Sequence, residues 1–206
     1  MAKPDTPQKI VTGAQGTGME SLMRATQKAA KGGGLPPVHL WNPPFCGDID
    51  MEIRRDGTWF YEGTPIGRPA MVRLFSTILK KEDGQHFLVT PVEKVGIRVE
   101  DAPFVAQDFE VESEGKGAAQ VVTFTTNVGD TVAAGPDHQI RVERDASGEP
   151  SPYVHVRAGL EALIDRKSFY RLVDIGEAQD VSGEPWFGVW SGGTFFKIIP
   201  VRDLCA

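Results

Sequence analysis

Three carboxylates, Asp48, Asp50 and Glu52, fall on alternate positions within the segment GDIDMEI. If this segment is a β-strand, the three side chains lie on one face, with about 6.5–7 Å between neighbours. That spacing is too wide for one small ion without ligands from elsewhere, and an EF-hand loop would need glycine where Ile53 stands. We therefore interpret the three residues as a solvated strand face, with the rim of a ligand site and a metal centre as open alternatives.

Charged residues at the ends of apolar segments form a second candidate group. Arginine in a crevice suits bidentate binding of phosphate or carboxylate, because its planar guanidinium presents several donors in a fixed fork. The same residues could instead form salt bridges between two halves of the protein, and both interpretations stay open. The members of this group are Arg68, Glu93, Lys94, Arg98, Asp101, Arg157, Glu161 and Arg166.

Histidines and cysteines give no metal-binding pattern. The four histidines form neither H-x-H nor H-E-x-x-H, so the sequence predicts no zinc site. The two cysteines, Cys46 and Cys205, stand at no metal-ligand spacing and form no disulfide framework, which fits a reducing cytoplasm. Ser191 in WSGGT lacks the G-x-S-x-G pattern of an α/β-hydrolase. No cofactor, metal ligand or catalytic residue is predicted.

Composition limits the class of protein. The chain has 206 residues, which suits one large domain or two small ones that share an interface. Its formal charge of −6 argues against a broad nucleic-acid footprint, which needs a basic face. No run approaches the roughly 18 apolar residues of a membrane helix, and the N-terminus lacks the apolar stretch of a secretory signal. We predict a soluble cytoplasmic protein without a membrane partner.

The first 35 residues differ in composition from the rest. Residues 1–18 are rich in Gly, Pro and Thr and are expected to form a flexible arm. Residues 19–31 predict a short helix, which the glycines at 32–34 end. Met19 and Leu22 share one face of this helix, which suits docking on the body of the protein or on a partner subunit.

The body of the chain carries both strand and helix signals. Apolar stripes predict helices over 68–84 and 157–166, and a strand over 168–177 is expected to follow the second helix. Asp56-Gly57 predicts a hairpin turn, and 185–201 predicts a final hairpin. Helices among antiparallel hairpins indicate an α+β fold rather than a parallel α/β sheet.

Two segments of the body resemble each other in the order of their elements. Residues 76–94 can be laid on 161–177 with a short gap, since in both an apolar helix end and a basic turn lead to an aromatic-bearing strand. We interpret the match as an internal duplication with a boundary near Lys94. The predicted organisation is an arm and helix over 1–35, an N-terminal α+β subdomain over 36–94 and a C-terminal α+β subdomain over 95–206.

From about Leu40 to Phe196 the chain resembles the bacterial family catalogued as domain of unknown function 1285. The resemblance rests on strings in a fixed order: WNPP, GDIDMEI, DGTWFYEGTPIGR, LVTPVEKVGI, DAPF and VRAGLEALIDRKSFYRLV. It implies an α+β fold of two related subdomains of mainly antiparallel sheet, each with a helix. The C-terminal subdomain is expected to be a partly open barrel similar to pleckstrin-homology domains. The family has no established activity, so the resemblance implies no catalytic residue.

The resemblance further implies a small-molecule site, for a nucleotide-like ligand, in the groove between the subdomains, with a role in signalling. Such a sensor predicts an inter-subdomain pocket with an aromatic wall and at least two converging arginines. Polar residues within the matching strings form the predicted site: Asp50, Arg68, Glu93, Lys94, Asp101, Arg157 and Glu161.

Two other functions stay open. An enzyme, such as a hydrolase that uses the acidic residues of 48–52, predicts two carboxylates within catalytic reach in one cleft and a strongly shifted pKa there. A protein-interaction module predicts an apolar patch or a strand-pairing homo-oligomer without a deep pocket. Its contacts would be made by exposed strand edges or by the N-terminal helix.

Overall fold

The computed structural model describes residues 19–29, 34–112 and 117–204. The arm predicted over 1–18 lies outside the described residues. Helix α1 (Met19–Ala29) confirms the short N-terminal helix, and its Leu22 is buried in the core, so the helix docks on the body of the protein. No helix in the described ranges is long and apolar enough to cross a membrane. The cytoplasmic localisation stays a prediction.

The first subdomain contains strands β1 (Phe45–Ile53), β2 (Trp59–Tyr61), β3 (Thr64–Pro65), β4 (Leu79–Glu82), β5 (Gln85–Val89) and β6 (Lys94–Val99). They form one sheet in the order β3-β2-β1-β6-β5-β4. Neighbouring strands are antiparallel except at the centre, where β1 and β6 run parallel. Helix α2 (Pro69–Ser76) connects β3 to β4, and Pro69 occupies its first turn, where the missing amide hydrogen costs nothing.

The second subdomain contains strands β7 (Phe104–Glu112), β8 (Val121–Thr126), β9 (Thr131–Ala133), β10 (Ile140–Arg144), β11 (Pro150–Arg157) and β12 (Leu160–Ile164). They form a sheet in the order β10-β11-β12-β7-β8-β9, which curls into a half-barrel. Only the central pair, β7 and β12, runs parallel among the described strands of this sheet. This curled sheet confirms the partly open barrel expected for the C-terminal subdomain.

The two sheets share one topology. If the second sheet is read from β9 to β10, strands β7 to β12 take the positions that β1 to β6 take in the first sheet. In each sheet, the first and last strands in chain order form the parallel central pair. The structure therefore confirms two related subdomains. The specific alignment of 76–94 with 161–177 is wrong, because the first segment holds β4 and β5 while the second holds β12 and a helix.

Helix α3 (Arg166–Asp174) and the final sheet follow the second subdomain's sheet. Strands β13 (Glu177–Val181), β14 (Glu184–Ser191) and β15 (Thr194–Pro200) form a three-stranded antiparallel sheet. The last two strands are the final hairpin predicted over 185–201. Its turn holds two consecutive glycines, Gly192 and Gly193, with positive φ angles.

The helix predicted over 157–166 and the strand predicted over 168–177 are both wrong. Ala158 and Gly159 adopt positive φ angles of 46° and 76°, which close a hairpin between β11 and β12. Alternate residues of β12 are buried, as in a strand. Helix α3 begins only after Asp165, whose carboxylate accepts a 2.7 Å hydrogen bond from the Ser168 amide and caps the helix.

The helix predicted over 68–84 is too long. Helix α2 ends at Ser76, and the chain then reverses in a hairpin between β4 and β5. Asp83 and Gly84 form the turn of this hairpin, with φ angles of 49° and 80°. Lys80 and Lys81 therefore belong to an edge strand and do not interact with a helix C-terminus.

One large apolar core runs through both subdomains. Trp59 stacks on Phe75 of α2 with ring centroids 6.4 Å apart, and Phe109 contacts Phe124 in the second sheet at 5.6 Å. All four residues belong to the same buried cluster. The two subdomains are therefore packed against each other. Any cavity between them lies at the edge of this shared core.

Candidate functional site

The acidic residues of β1 lie on the outer face of the first sheet. Arg98 of β6 forms ion pairs with Asp50 at 2.8 Å and with Glu52 at 3.6 Å. Asp48 lies over Gly96, where a Cβ atom would stand 2.0 Å from its Oδ1. Both agree with a solvated strand face, although Asp48 and Arg98 also line a cavity of about 530 Å³. No group of three potential metal ligands occurs within the described residues.

Lys94 and Glu93 lie at the start of β6. The Lys94 ammonium pairs with Glu82 at 2.8 Å, and Lys80 pairs with the same carboxylate at 2.7 Å. These two lysines hold the pKa of the Glu82 carboxyl below its usual range. Glu93 is partly buried, and burial raises the pKa of its carboxyl group.

Asp101 lies in the connection between the two sheets. It accepts a 2.8 Å hydrogen bond from the Tyr153 hydroxyl and forms a 2.9 Å ion pair with Arg55. Arg55 also donates a 2.8 Å hydrogen bond to Ser151 of the second subdomain. Asp101 therefore contributes to an inter-subdomain network, as the salt-bridge interpretation of this residue predicts.

Arg157 and Glu161 lie on neighbouring strands and have separate partners. Arg157 forms an ion pair with Asp130 and donates a 2.8 Å hydrogen bond to the Ser76 carbonyl at the end of α2. Glu161 accepts two hydrogen bonds from Arg141, at 2.6 and 2.7 Å, and this pairing lowers the pKa of Glu161. Both side chains are held mainly by protein contacts.

Arg68 precedes α2 and lines an open cavity beside Met19 and Tyr61. None of the other six predicted residues lines this cavity. The seven predicted residues thus occupy different surfaces, and the structure does not assemble them into one site. Arg157, one of the seven, lines a cavity between the subdomains.

That cavity, which we call the basic pocket, has a volume of about 370 Å³. The first subdomain contributes one wall and the β11–β12 hairpin of the second subdomain contributes the other. Most of the surface is apolar or aliphatic. The lining residues are Leu35, Pro36, Pro37, Val38, His39, Thr77, Leu79, Lys80, Lys81, Arg157, Ala158 and Leu160.

The ionisable side chains of the basic pocket are Lys80, Lys81, Arg157 and His39, and its lining contains no carboxylate. Lys80 and Arg157 are already paired with Glu82 and Asp130, which do not line the pocket. Lys81 is exposed and has no carboxylate within ion-pair distance in the part of the chain that the structure describes. The pocket can therefore hold an apolar body and place an anionic group against Lys81.

Sequence reasoning missed Lys80 and Lys81 as site residues, because it assigned them to the last turn of a helix. Asp83-Gly84 is the signal that could have identified them. This pair favours a hairpin turn, and the residues before a hairpin turn, 79–82, form a strand.

A second cavity, which we call the mixed-charge pocket, has a volume of about 260 Å³. It lies where the Arg55 hairpin of the first subdomain meets the start of α3. It has the two arginines and the aromatic wall expected of a sensor pocket, but two carboxylates also line it. The lining residues are Arg55, Glu149, Pro150, Pro152, Leu163, Ile164, Asp165, Arg166, Phe169 and Tyr170.

Comparison with known proteins identifies the family. A family model described as "Domain of unknown function (DUF1285), N-terminal domain" matches residues 36–102, and "Protein of unknown function (DUF1285), C-terminal domain" matches residues 103–198. The chain belongs to the DUF1285 family. The two family models meet between residues 102 and 103, after β6, which pairs within the first sheet. The boundary near Lys94 stays a prediction.

Two solved structures of DUF1285 proteins resemble this chain. One, from Silicibacter pomeroyi DSS-3, is 63% identical with a TM-score of 0.81, covering 90% of this chain and 98% of that chain. The other, from Shewanella baltica OS155, is 29% identical with a TM-score of 0.48, covering 61% of this chain and 91% of that chain. No curated protein matches the chain.

Proposed function

We propose that this DUF1285 protein binds a small anionic molecule with an apolar body, nucleotide-like ligands included, in the basic pocket, as a binding module in signalling. The observation that carries the proposal is the charge of the lining. Every ionisable side chain there is basic, and the remaining surface is mostly apolar. A ligand that combines an anion with an apolar or aromatic body matches both properties.

The size and position of the basic pocket also suit a small ligand. Its volume of about 370 Å³ lies within the range of roughly 300–1,000 Å³ that is typical of small-molecule sites. A ligand there contacts Leu79 of the first subdomain and Leu160 of the second at once. Binding is therefore expected to stabilise the arrangement of the two subdomains, which is a change that a signalling partner could detect.

Thermal-shift screening of the full chain against nucleotides, cyclic dinucleotides and aromatic or aliphatic carboxylates tests the proposal. A ligand at about 100 times its dissociation constant adds about 2.7 kcal/mol to the free energy of unfolding, so its effect on the melting temperature is readily seen. Lys81→Gln should weaken binding about tenfold, or about 1.4 kcal/mol. Lys81 forms no ion pair within the described ranges, so its replacement should leave the fold intact.

Lys197→Gln is the matched control, because it removes one exposed lysine charge from the final sheet, outside the pocket. Binding should be unchanged in this variant. If anions stabilise both variants and the wild type equally, the basic pocket is not their site. If none of these compounds shifts the melting temperature, the proposal is wrong for this class of ligand.

A second candidate function is self-association of the first subdomain. Leu40, Phe45 and Val92 are 72%, 55% and 69% exposed, an unusual exposure for large apolar side chains. Phe45 is paired in register with Lys94, and Val92 precedes this lysine in the turn, so the two apolar residues lie at one end of the sheet. Phe45→Ser should lower the mass measured by light scattering from dimer to monomer if this surface joins two copies.

A further inference from the structure

We propose that the mixed-charge pocket binds a free apolar α-amino acid as a zwitterion, at a site separate from the basic pocket. The pocket places two guanidinium groups and two carboxylates around one small cavity. A ligand that carries only one sign of charge would meet like charges in this lining. A zwitterion satisfies both signs at once.

The cationic side of the pocket is positioned before any ligand arrives. Arg55 is held by its 2.9 Å ion pair with Asp101 and its 2.8 Å hydrogen bond to Ser151, which fix its guanidinium across the subdomain boundary. Arg166 donates from Nε to the Tyr170 hydroxyl at 3.2 Å. Its terminal nitrogens have no hydrogen-bond partner within the described residues, so they are available to a carboxylate.

The anionic side of the pocket lies close to Arg166. One oxygen of Asp165 accepts the capping hydrogen bond from the Ser168 amide at 2.7 Å, and the other oxygen accepts no hydrogen bond from the described residues. Glu149 is exposed in the loop before β11. The pKa of Arg166 is raised, first by its hydrogen bond with Tyr170 and also by the charge of Glu149. An ammonium group near these two carboxylates would gain a charge-assisted hydrogen bond.

The remaining surface limits the ligand to a small apolar molecule. Pro150, Pro152, Leu163 and Phe169 supply an apolar floor, and Tyr170, which is 56% exposed, stands at the rim. The volume of about 260 Å³ is below the range of roughly 300–1,000 Å³ that is usual for drug-sized ligands. An aliphatic or aromatic amino acid fits this volume, with its side chain on the floor and its backbone charges at the rim.

Titration calorimetry of the full chain with L-leucine and L-phenylalanine tests the inference. The matched ligands are 4-methylpentanoate, which lacks the ammonium of leucine, and 3-methylbutylamine, which lacks its carboxylate. We expect binding by the amino acids and binding at least about tenfold weaker, or about 1.4 kcal/mol, by each single-charge analogue. Arg166→Gln and Glu149→Gln should each weaken amino-acid binding by a similar factor. Both side chains are exposed, so folding should be retained.

Lys167→Gln is the control variant, because it removes an adjacent exposed charge on α3 that does not line the pocket. It should bind the amino acids as the wild type does. The inference is overturned if neither amino acid binds, if 4-methylpentanoate binds as tightly as leucine, or if Lys167→Gln weakens binding as much as Arg166→Gln. Loss of amino-acid binding in Lys81→Gln would assign the ligand to the basic pocket instead.

Discussion

Arg157 of β11 donates a 2.8 Å hydrogen bond to the carbonyl oxygen of Ser76, the last residue of α2, across 81 positions of the chain. The same guanidinium is paired with Asp130 and lies 4.9 Å above the ring of Phe104. A positive charge at the C-terminal end of a helix also interacts favourably with the helix dipole. Arg157 thus joins the helix of the first subdomain to the sheet of the second.

Replacing Arg157 should destabilise the joint between the subdomains. Arg157→Gln loses the ion pair and leaves the partly buried Asp130 without its counter-charge, so we expect a loss of about 2 kcal/mol in the free energy of unfolding. Urea denaturation measures this loss. Arg202→Gln is the control, because Arg202 is 72% exposed in its pair with Glu184 and should contribute less than about 1 kcal/mol. Equal losses in both variants would contradict the prediction.

Gly57 should tolerate no side chain, because the turn that it forms packs on the second subdomain. Its φ angle is +82°, and an added Cβ would lie 2.6 Å from Nδ2 of Asn127. Asn127 in turn accepts a 3.0 Å hydrogen bond from the Val105 amide and donates one of 3.2 Å to the Gly57 carbonyl. We expect Gly57→Ala to cost about 2–3 kcal/mol, from backbone strain and the displaced Asn127 together.

Gly63→Ala separates these two contributions. Gly63 also has a positive φ angle, +71°, but apart from its chain neighbours no described residue has an atom within 4 Å of its added Cβ. This variant should therefore show backbone strain alone, about 1–2 kcal/mol. If thermal denaturation gives the same loss for both alanine variants, the Gly57–Asn127 contact does not contribute to stability.

His86 should make the protein less stable in mild acid. Burial lowers the pKa of His86 from 6.5 to about 4, with Lys81 acting in the same direction, and its Nε2 is buried without a hydrogen-bond partner among the described residues. The unfolded chain therefore binds a proton between pH 6.5 and about 4 that the folded chain does not. Stability is complete above pH 6.5 and falls as the pH drops towards 4, by up to about 3 kcal/mol.

Denaturation curves between pH 7 and pH 4 measure this dependence. His86→Phe removes the titrating group and should flatten the dependence of stability on pH, whatever its effect on stability at pH 7. His39→Gln, which removes an exposed histidine, is the matched control for the substitution. A wild type and a His86→Phe variant with parallel pH profiles would disprove the assignment.

Asp165 should stabilise α3 through its cap. Asp165→Ala removes the acceptor of the 2.7 Å hydrogen bond from the Ser168 amide, so we expect a loss of about 1 kcal/mol in urea denaturation. Asp165→Asn keeps an acceptor oxygen at the N-cap and should restore most of that stability. If the asparagine variant is as unstable as the alanine variant, the carboxylate charge is responsible and the cap is not.

Local signals in the sequence were sufficient for much of the fold. The alternation through Asp48, Asp50 and Glu52 predicted β1 and its exposed face, because side chains alternate sides along any strand. Asp56-Gly57 and the glycines at 192–193 predicted two hairpins, because these residues readily adopt the positive φ angles of tight turns. The family resemblance predicted two related subdomains. The strand and the two hairpins depend on residues that are close together in the chain.

Tertiary structure decided what local signals left ambiguous. Leu160, Leu163 and Ile164 fit a helical stripe as well as a strand, and the pairing of β12 with β11 on one side and with β7 on the other makes their segment a strand. The candidate pockets are likewise formed by segments that are distant in the chain. The mixed-charge pocket, for example, is lined by Arg55 of the first subdomain and Arg166 of the second. The sequence determined the local turns and the alternation of exposed and buried residues. Long-range strand pairing and core packing decided which charged side chains line the same cavity. These contacts join residues that are far apart in the chain, and no local sequence pattern links such residues.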